Sequence, residues 1–418
     1  MKTGKWAKQL LWATPLLALF ATGCGDFWQA PATTTSGGGS SCTTDCTSSS
    51  SGNFYILDAG SAPGIVGASI VSGTLTAISG SPWLLNGTPY SMAIDPAGNF
   101  LVVSTTSGVV SYPITNGVLG TAVTASGDID AAAVQVVDGT NTDWLVEAEP
   151  ATGGVTLGAI PIDATTGAGT GSEQNVSYSA ATPAGASLMS GQMVISGDNA
   201  HIFVALGAGG TIVVPFFPTV AATANPLGAA NTGTGIPVTG LSAVSVAVDP
   251  GTSPRVFYIG ETAAAPSGGT DGGLRVFNYS SLSTSPVNLT QATGSPIDSG
   301  GLAPGYILPL STGTYAGEYV YVANGQGTAA GNVAGFTITA SSASTPVYTI
   351  ATDTTTTTNG ASPMGLAEDS TGSFVLEVGS TGSTYFNAYT FDATSLGQLD
   401  SSLGSTAAAT SIAVVAAP

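Results

Sequence analysis

Charge is the first thing this chain lacks. Of 418 residues only 5 are Lys or Arg and 24 are Asp or Glu, so charged residues make up 7%, against about 25% in ordinary soluble domains. Lys2, Lys5 and Lys8 open the chain, which leaves Arg255 and Arg275 for everything downstream. Nucleic-acid binding is excluded, because neutralising phosphates takes clustered Lys and Arg. A phosphorylated substrate would have to be held by two arginines or by backbone amides. Coiled coils and long surface helices are excluded by the same scarcity, and no long 3.6-residue hydrophobic period is present. Histidine is confined to His201. Cysteine stops at Cys46, so the body of the chain is no disulfide scaffold. EF-hand, HExxH, GxSxG and P-loop signatures are missing, and neither a metal site nor a cofactor is expected. The abundant residues are glycine, 58 in all or about twice the usual share, and apolar residues. The latter make up 43%, too many for a chain that is disordered throughout.

Residues 1–23 read as an export signal. The three lysines precede an apolar stretch, Leu10 to Phe20, too short to span a bilayer. Small residues then lead into Cys24, and Phe20-Ala21-Thr22-Gly23-Cys24 resembles the bacterial lipobox. That resemblance implies a lipid on Cys24 and partnership with a membrane. Gly25 after the cysteine, rather than an acid, favours the outer membrane or cell surface. Residues 24–52 form a Ser/Thr/Gly-rich tether with little to bury. Within it, Cys42 and Cys46 could close a small disulfide loop after export, the alternative being free or intermolecular thiols. Two thiols without a nearby histidine make a poor metal site.

From Asn53 onward short β-rich runs alternate with Gly, Asn, Asp and Ser turns. The clearest unit runs from Pro89-Tyr-Ser-Met-Ala-Ile-Asp95-Pro-Ala-Gly-Asn-Phe100-Leu-Val-Val-Ser104 through Gly108-Val-Val-Ser-Tyr-Pro-Ile114 to Gly117-Val-Leu119. It holds three strands and a short fourth, and its order recurs seven times over residues 53–416, at about 52 residues per unit. The first unit starts at its second strand, Phe54–Asp58, and a lone first strand, Ser411–Ala416, ends the chain. The expected fold is therefore all-β: a seven-bladed β-propeller over 53–418, monomeric, closed by the C-terminal strand completing the first blade. The excess length is assigned to loops such as Ala263–Gly273 and Thr352–Ala361. Trp83 and Trp144 are read as packing between blades. A fold with so few ionised pairs is also expected to lose little stability as pH falls.

The unit around Asp95-Pro96-Ala97-Gly98-Asn99, together with Val246-Ala247-Val248-Asp249-Pro250 and Tyr319-Val320-Tyr321-Val322-Ala323-Asn324, resembles the seven-bladed lactonase-like and YVTN-type propellers. Members that hydrolyse 6-phosphogluconolactone or cycloisomerise muconates use His, Arg and Glu in the central mouth. Here His201 and Arg255 follow inner turns and should lie on the face opposite Arg275, so that equipment does not converge. Asp95, Asp198 and Asp249 are read as turn residues. Asp58, Glu147, Glu149, Glu261, Asn324 and Glu377 fall at the ends of second strands, with Arg275 on the same face, and make a candidate ligand rim. Glu147, Glu261 and Glu377 are the candidates for acid–base work. Acids at such positions can equally be solvated loop residues. The favoured reading is an exported, lipid-anchored envelope propeller that binds a protein or carbohydrate. The alternatives are a lactonase-like hydrolase of an unphosphorylated ring ester and a surface adhesin.

Overall fold

A computed structural model describes residues 52–249, 256–262, 272–279, 289–325, 331–340, 348–357, 362–380, 385–392, 395, 397–405 and 410–418. The export signal, Cys24, the Cys42–Cys46 pair and Arg255 lie outside them.

The second strand of each unit is a continuous apolar run, such as Phe54–Leu57, Phe100–Val103 or Tyr319–Ala323, and is buried on both faces. A strand of this kind needs cover above and below. The fold supplies it by stacking seven antiparallel sheets. Each sheet orders its strands inner, second, third, outer. Blade 1 joins Ser411–Ala416, Asn53–Asp58, Gly64–Val71 and Thr74–Ala77. Blade 2 joins Pro89–Ile94, Phe100–Thr105, Gly108–Thr115 and an outer strand in two pieces, Val118–Leu119 and Val123–Ser126. Blade 3 joins Ala133–Val137, Asp143–Ala151, Gly154–Ile162 and Gln174–Ser179, and blade 4 joins Met193–Ile195, His201–Ala205, Thr211–Pro215 and Thr234–Ile236. Blade 5 joins Ser242–Val248, Val256–Thr262, Gly273–Tyr279 and Leu289–Gln291. Blade 6 joins Pro304–Pro309, Tyr319–Asn324, Asn332–Ala340 and Tyr348–Thr357, and blade 7 joins Pro363–Glu368, Val375–Gly379, Phe386–Phe391 and Leu399–Ser405.

The ring closes as expected. Phe54 to Asp58 pair antiparallel with Ala416 to Ser411, so the two ends of the body share blade 1. Each inner strand touches the inner strands of its two neighbours all the way round. The apolar interior is correspondingly divided. Seven clusters lie between successive blades, and each draws residues from two sheets. Trp144, fully buried, packs in the cluster between blades 3 and 4 and donates its indole N–H to the Pro218 carbonyl at 3.2 Å.

The turns between inner and second strands behave as read. Asp95 accepts from the Asn99 amide at 2.9 Å, and Asp198 from Ala200 at 3.3 Å. Asp369 does the same for Ser373 and Phe374, at 2.8 and 2.6 Å. One loop expectation fails. Thr352–Thr357 is not loop but part of the outer strand of blade 6. Its run of threonines is β-branched, and such side chains favour an extended backbone. Ala263–Gly273 is likewise shorter than expected at its end, since Gly273 begins a strand, and the rest of it lies outside the described residues.

Two faces follow from the strand order. The inner-to-second and third-to-outer turns share one, called lower here. The second-to-third and outer-to-inner connections share the other, the upper face.

Candidate functional site

Asp58, Glu261, Asn324 and Glu377 sit toward the upper ends of second strands, whereas Glu147 and Glu149 lie inside the longer strand Asp143–Ala151 and Arg275 on the third strand of blade 5. Successive side chains of a strand point to opposite faces, so the clusters fix where each one aims. In blade 3, Trp144, Val146 and Ala148 pack toward blade 4 and Leu145 packs toward blade 2. Glu147 and Glu149 share the side of Leu145 and face blade 2. By the same alternation Glu261, after Phe257 and Ile259, faces blade 4. Glu377, after Val375, faces blade 6. Asn324 faces blade 5 and Asp58 faces blade 7.

The expected open rim is therefore a set of separate clefts between blades. Glu147, Glu261 and Glu377, the acid–base candidates, lie in three of them. The reading of these residues as solvated loop acids also fails. Glu147, Glu261, Arg275, Asn324 and Glu377 are buried, and Asp58 and Glu149 half-buried. The neighbouring blade covers the strand end that the sequence shows only as the start of a loop.

Each cleft treats its polar group differently. Glu261 accepts from Arg275 at 2.9 Å and from the amide and hydroxyl of Thr239. Arg275 also donates to the Pro237 carbonyl at 2.7 Å and lies 5.0 Å from the Phe277 ring centre. Glu377 accepts from the Tyr389 hydroxyl at 2.7 Å and from Asn387 at 3.0 Å. Burial pushes the Glu377 carboxyl up to about 7, while those two donors pull the other way. Asn324 donates to the Ser299 carbonyl at 2.7 Å and to Asn332 at 2.9 Å. Asp58 accepts from the Gly60 amide at 2.8 Å, and burial raises its carboxyl.

The cleft between blades 2 and 3 is unlike the others. Glu147 and Glu149 are joined there by Asp128, from the connection leaving blade 2, and by Glu173, just before the outer strand of blade 3. One carboxylate oxygen from each of the four lies within 4.8 Å of the others. Burial, then the neighbouring carboxylates, push Glu147 up to about 9. Burial and the partners Asp128 and Glu173 push Glu149 up to about 8. Glu173 is raised as well, chiefly by burial. Sequence reading found Glu147 and Glu149 but missed Asp128 and Glu173. The four follow no ligand spacing, and only the docking of two blades brings them together.

His201 is fully buried at the start of the second strand of blade 4, its ring 6.3 Å from Phe203 and 6.0 Å from Tyr279. That agrees with a structural role and rules out a surface one.

A second upper-face feature has no ionic character. Counting eight residues back from the residue that closes the inner turn in blades 3, 5 and 6 (Val137, Asp249 and Leu310) reaches Ile129, Leu241 and Leu302. These are 53%, 70% and 51% exposed. In blade 4 the same count reaches Leu188, half-buried. Leu241 and Leu302 share one register position beyond a β-bulge of the inner strand; the inner strand of blade 3 has no such bulge, and Ile129 lies one residue out of that register.

Comparison with known proteins adds one fact. No family model matches the chain, and no curated protein matches it in sequence. Among solved structures it is similar to a Bacteroides uniformis protein designated a candidate 6-phosphogluconolactonase. The TM-score is 0.61 at 16% identity, over 87% of this chain and 98% of that one. A protein of unknown function from Desulfotomaculum acetoxidans also matches, with TM-score 0.42 and 15% identity over 75% of this chain and 80% of that one. The likeness is one of fold. At such identity it transfers the propeller and leaves activity to be argued from this chain's own site.

Proposed function

We propose that this propeller is a binding module of the cell envelope, held by a lipid on Cys24 and engaging a protein partner through its upper face. The exposed residues Ile129, Leu241 and Leu302, each in a connection that enters an inner strand, carry the reading. Large apolar residues exposed on one face mark an interaction surface better than residues spread over the whole molecule. Their aliphatic character suits apolar side chains of a polypeptide rather than a sugar. The tether supports the orientation: it joins the body at Asn53, the lower end of a second strand. A lipid at the far end of that tether turns the lower face to the membrane and the upper face outward. Hydrolysis has weaker support: the acid–base candidates Glu147, Glu261 and Glu377 lie in three separate clefts, and the one group of carboxylates that does converge has no cation beside it, among the described residues, to steady a developing oxyanion.

The test is site-specific photocrosslinking in intact cells. A crosslinker at position 241 should give a discrete protein adduct that is lost in Leu302→Asp, and one at position 302 an adduct lost in Leu241→Asp, while one at the lower-face position 71 gives none. Equal adducts from both faces, or none from either, would overturn the reading. Cys24→Ser should release the protein from the membrane fraction. Retention there would remove the anchor from the reading without touching the partner.

A further inference from the structure

The cleft between blades 2 and 3 holds four carboxylates and nothing to neutralise them. Among the described residues the sole Lys or Arg is Arg275, which is committed to Glu261 between blades 4 and 5. Like charges this close repel strongly at the effective dielectric of a protein surface. Four ionised groups at this spacing therefore need protons or a cation among them.

Glu147 points to the cation. Its side chain is 0% exposed. One oxygen, Oε2, accepts from the Ser126 hydroxyl at 3.3 Å, while Oε1 has no hydrogen-bond partner. Buried acceptors are almost always satisfied, and a carboxylate oxygen left without a partner is among the costliest exceptions. The same carboxylate is the buried member of the cluster. It is fixed there by the central register of the second strand, opposite Val134 and Gly158, so it cannot swing out to water. Beside the cluster, a cleft of about 570 Å³ bounded by Ser126, Asp128 and Glu173 gives access.

The donor set selects the ion. All four groups are oxygen donors, without His or Cys, which suits a hard cation and not zinc or copper. Calcium takes about six to eight oxygen ligands in flexible geometry, of which four carboxylates gathered within 4.8 Å of one another can supply a part, whereas magnesium demands near-ideal octahedral geometry and keeps several of its waters.

We propose that Asp128, Glu147, Glu149 and Glu173 form a calcium site that clamps blade 2 to blade 3. Three ligands belong to blade 3, and Asp128 belongs to the connection that arrives from blade 2. Asp128 directly precedes Ile129, so the ion also fixes one member of the upper-face apolar set. The site itself does not depend on that surface having a partner.

The test is calcium titration of the purified full-length protein after stripping with EGTA, read by calorimetry and by thermal unfolding. One calcium per chain should bind and raise the melting temperature, with magnesium at least about tenfold weaker. Glu147→Gln should weaken calcium binding by about tenfold or more. The same substitution should leave the EGTA-treated protein melting no lower than the wild type, because it removes the group that lacks a partner. Exposed Glu318→Gln should change neither reading. If Glu147→Gln does not fold, half-buried Glu173→Gln should show the same loss of calcium response. No calcium response at millimolar concentration overturns the proposal, as does a response unchanged in the Glu147 and Glu173 variants.

Discussion

Between blades 4 and 5, Glu261 meets Arg275 at 2.9 Å and Thr239 beside it. Between blades 2 and 3, Glu147 meets three further carboxylates and one hydroxyl. Both glutamates are buried on a second strand, and both face the preceding blade. The difference lies in what the third and outer strands bring opposite them. Blade 5 contributes an arginine from its third strand, and blade 3 contributes another acid just ahead of its outer strand. In a chain this poor in cations, one cleft can be neutralised from within. The other depends on something from outside the chain. Glu377 is an intermediate case, held between blades 6 and 7 by neutral donors alone.

The largest effect should come from breaking the neutralised cleft. Arg275→Met leaves Glu261 buried without its cation, and losing one partner of a buried pair costs about 3–5 kcal/mol. Replacing both, Arg275→Met with Glu261→Gln, should recover most of that, since an uncompensated charge is then no longer buried. Urea unfolding of the two variants decides the matter. A single variant within about 1 kcal/mol of wild type would mean the pair is not what holds this cleft.

The two clefts also mark what was legible in the sequence. The blades were, because hydrophobic runs recur in seven units, Asp-containing turns recur in several of them, and the orphan strand Ser411–Ala416 marks where the ring closes. Reading the second-strand ends located Glu147, Glu261 and Glu377 but not their surroundings. Register along one strand says which residues share a side, whereas the neighbour on that side comes from another blade. Arg275 was placed on the correct face, yet its pairing with Glu261 required the third strand of blade 5 to be set against the second. Asp128 and Glu173 carried no signal, since an acid in a Gly/Ser loop looks the same whether or not a partner blade closes over it. The outer strands of blades 1 and 5 also come in two pieces, Thr74–Ala77 with Trp83–Leu84 and Leu289–Gln291 with Ile297–Asp298, and the breaks between them, at Gly80-Ser81-Pro82 and Gly294-Ser295-Pro296, were missed. They share one device: each serine hydroxyl accepts a backbone amide of the third strand, from Gly67 at 3.0 Å and Val276 at 2.8 Å.

Glu377 gives the comparison a pH axis. Its folded value of about 7 lies above the ordinary 4.5. Between those values the folded state holds a proton that the unfolded state has lost. Stability therefore falls as pH rises through this window, and the loss is complete above the folded value. The protein should be more stable at pH 5 than at pH 8, by about 1–3 kcal/mol from this group. The scarcity of ion pairs predicts little loss of stability as pH falls, and burial of an acid without a cation goes further and makes acid protective. Denaturation across that range in EGTA, compared with Glu377→Gln, isolates the contribution. Parallel pH profiles for the two proteins would remove it.

The smallest effect tests whether neutral donors can substitute for a cation. Tyr389→Phe deletes the 2.7 Å hydrogen bond to Glu377 and leaves the ring in the core between blades 6 and 7. Below pH 7 the cost should be about 1 kcal/mol, the net worth of one ordinary hydrogen bond. Above it the cost should grow, because the hydroxyl supports the ionised carboxylate more than the neutral acid. The midpoint of the pH-dependent stability loss should accordingly move upward in the variant. A cost that is the same at pH 5 and pH 8 would mean that the tyrosine only fills space, leaving Glu377 with Asn387 as its one effective donor.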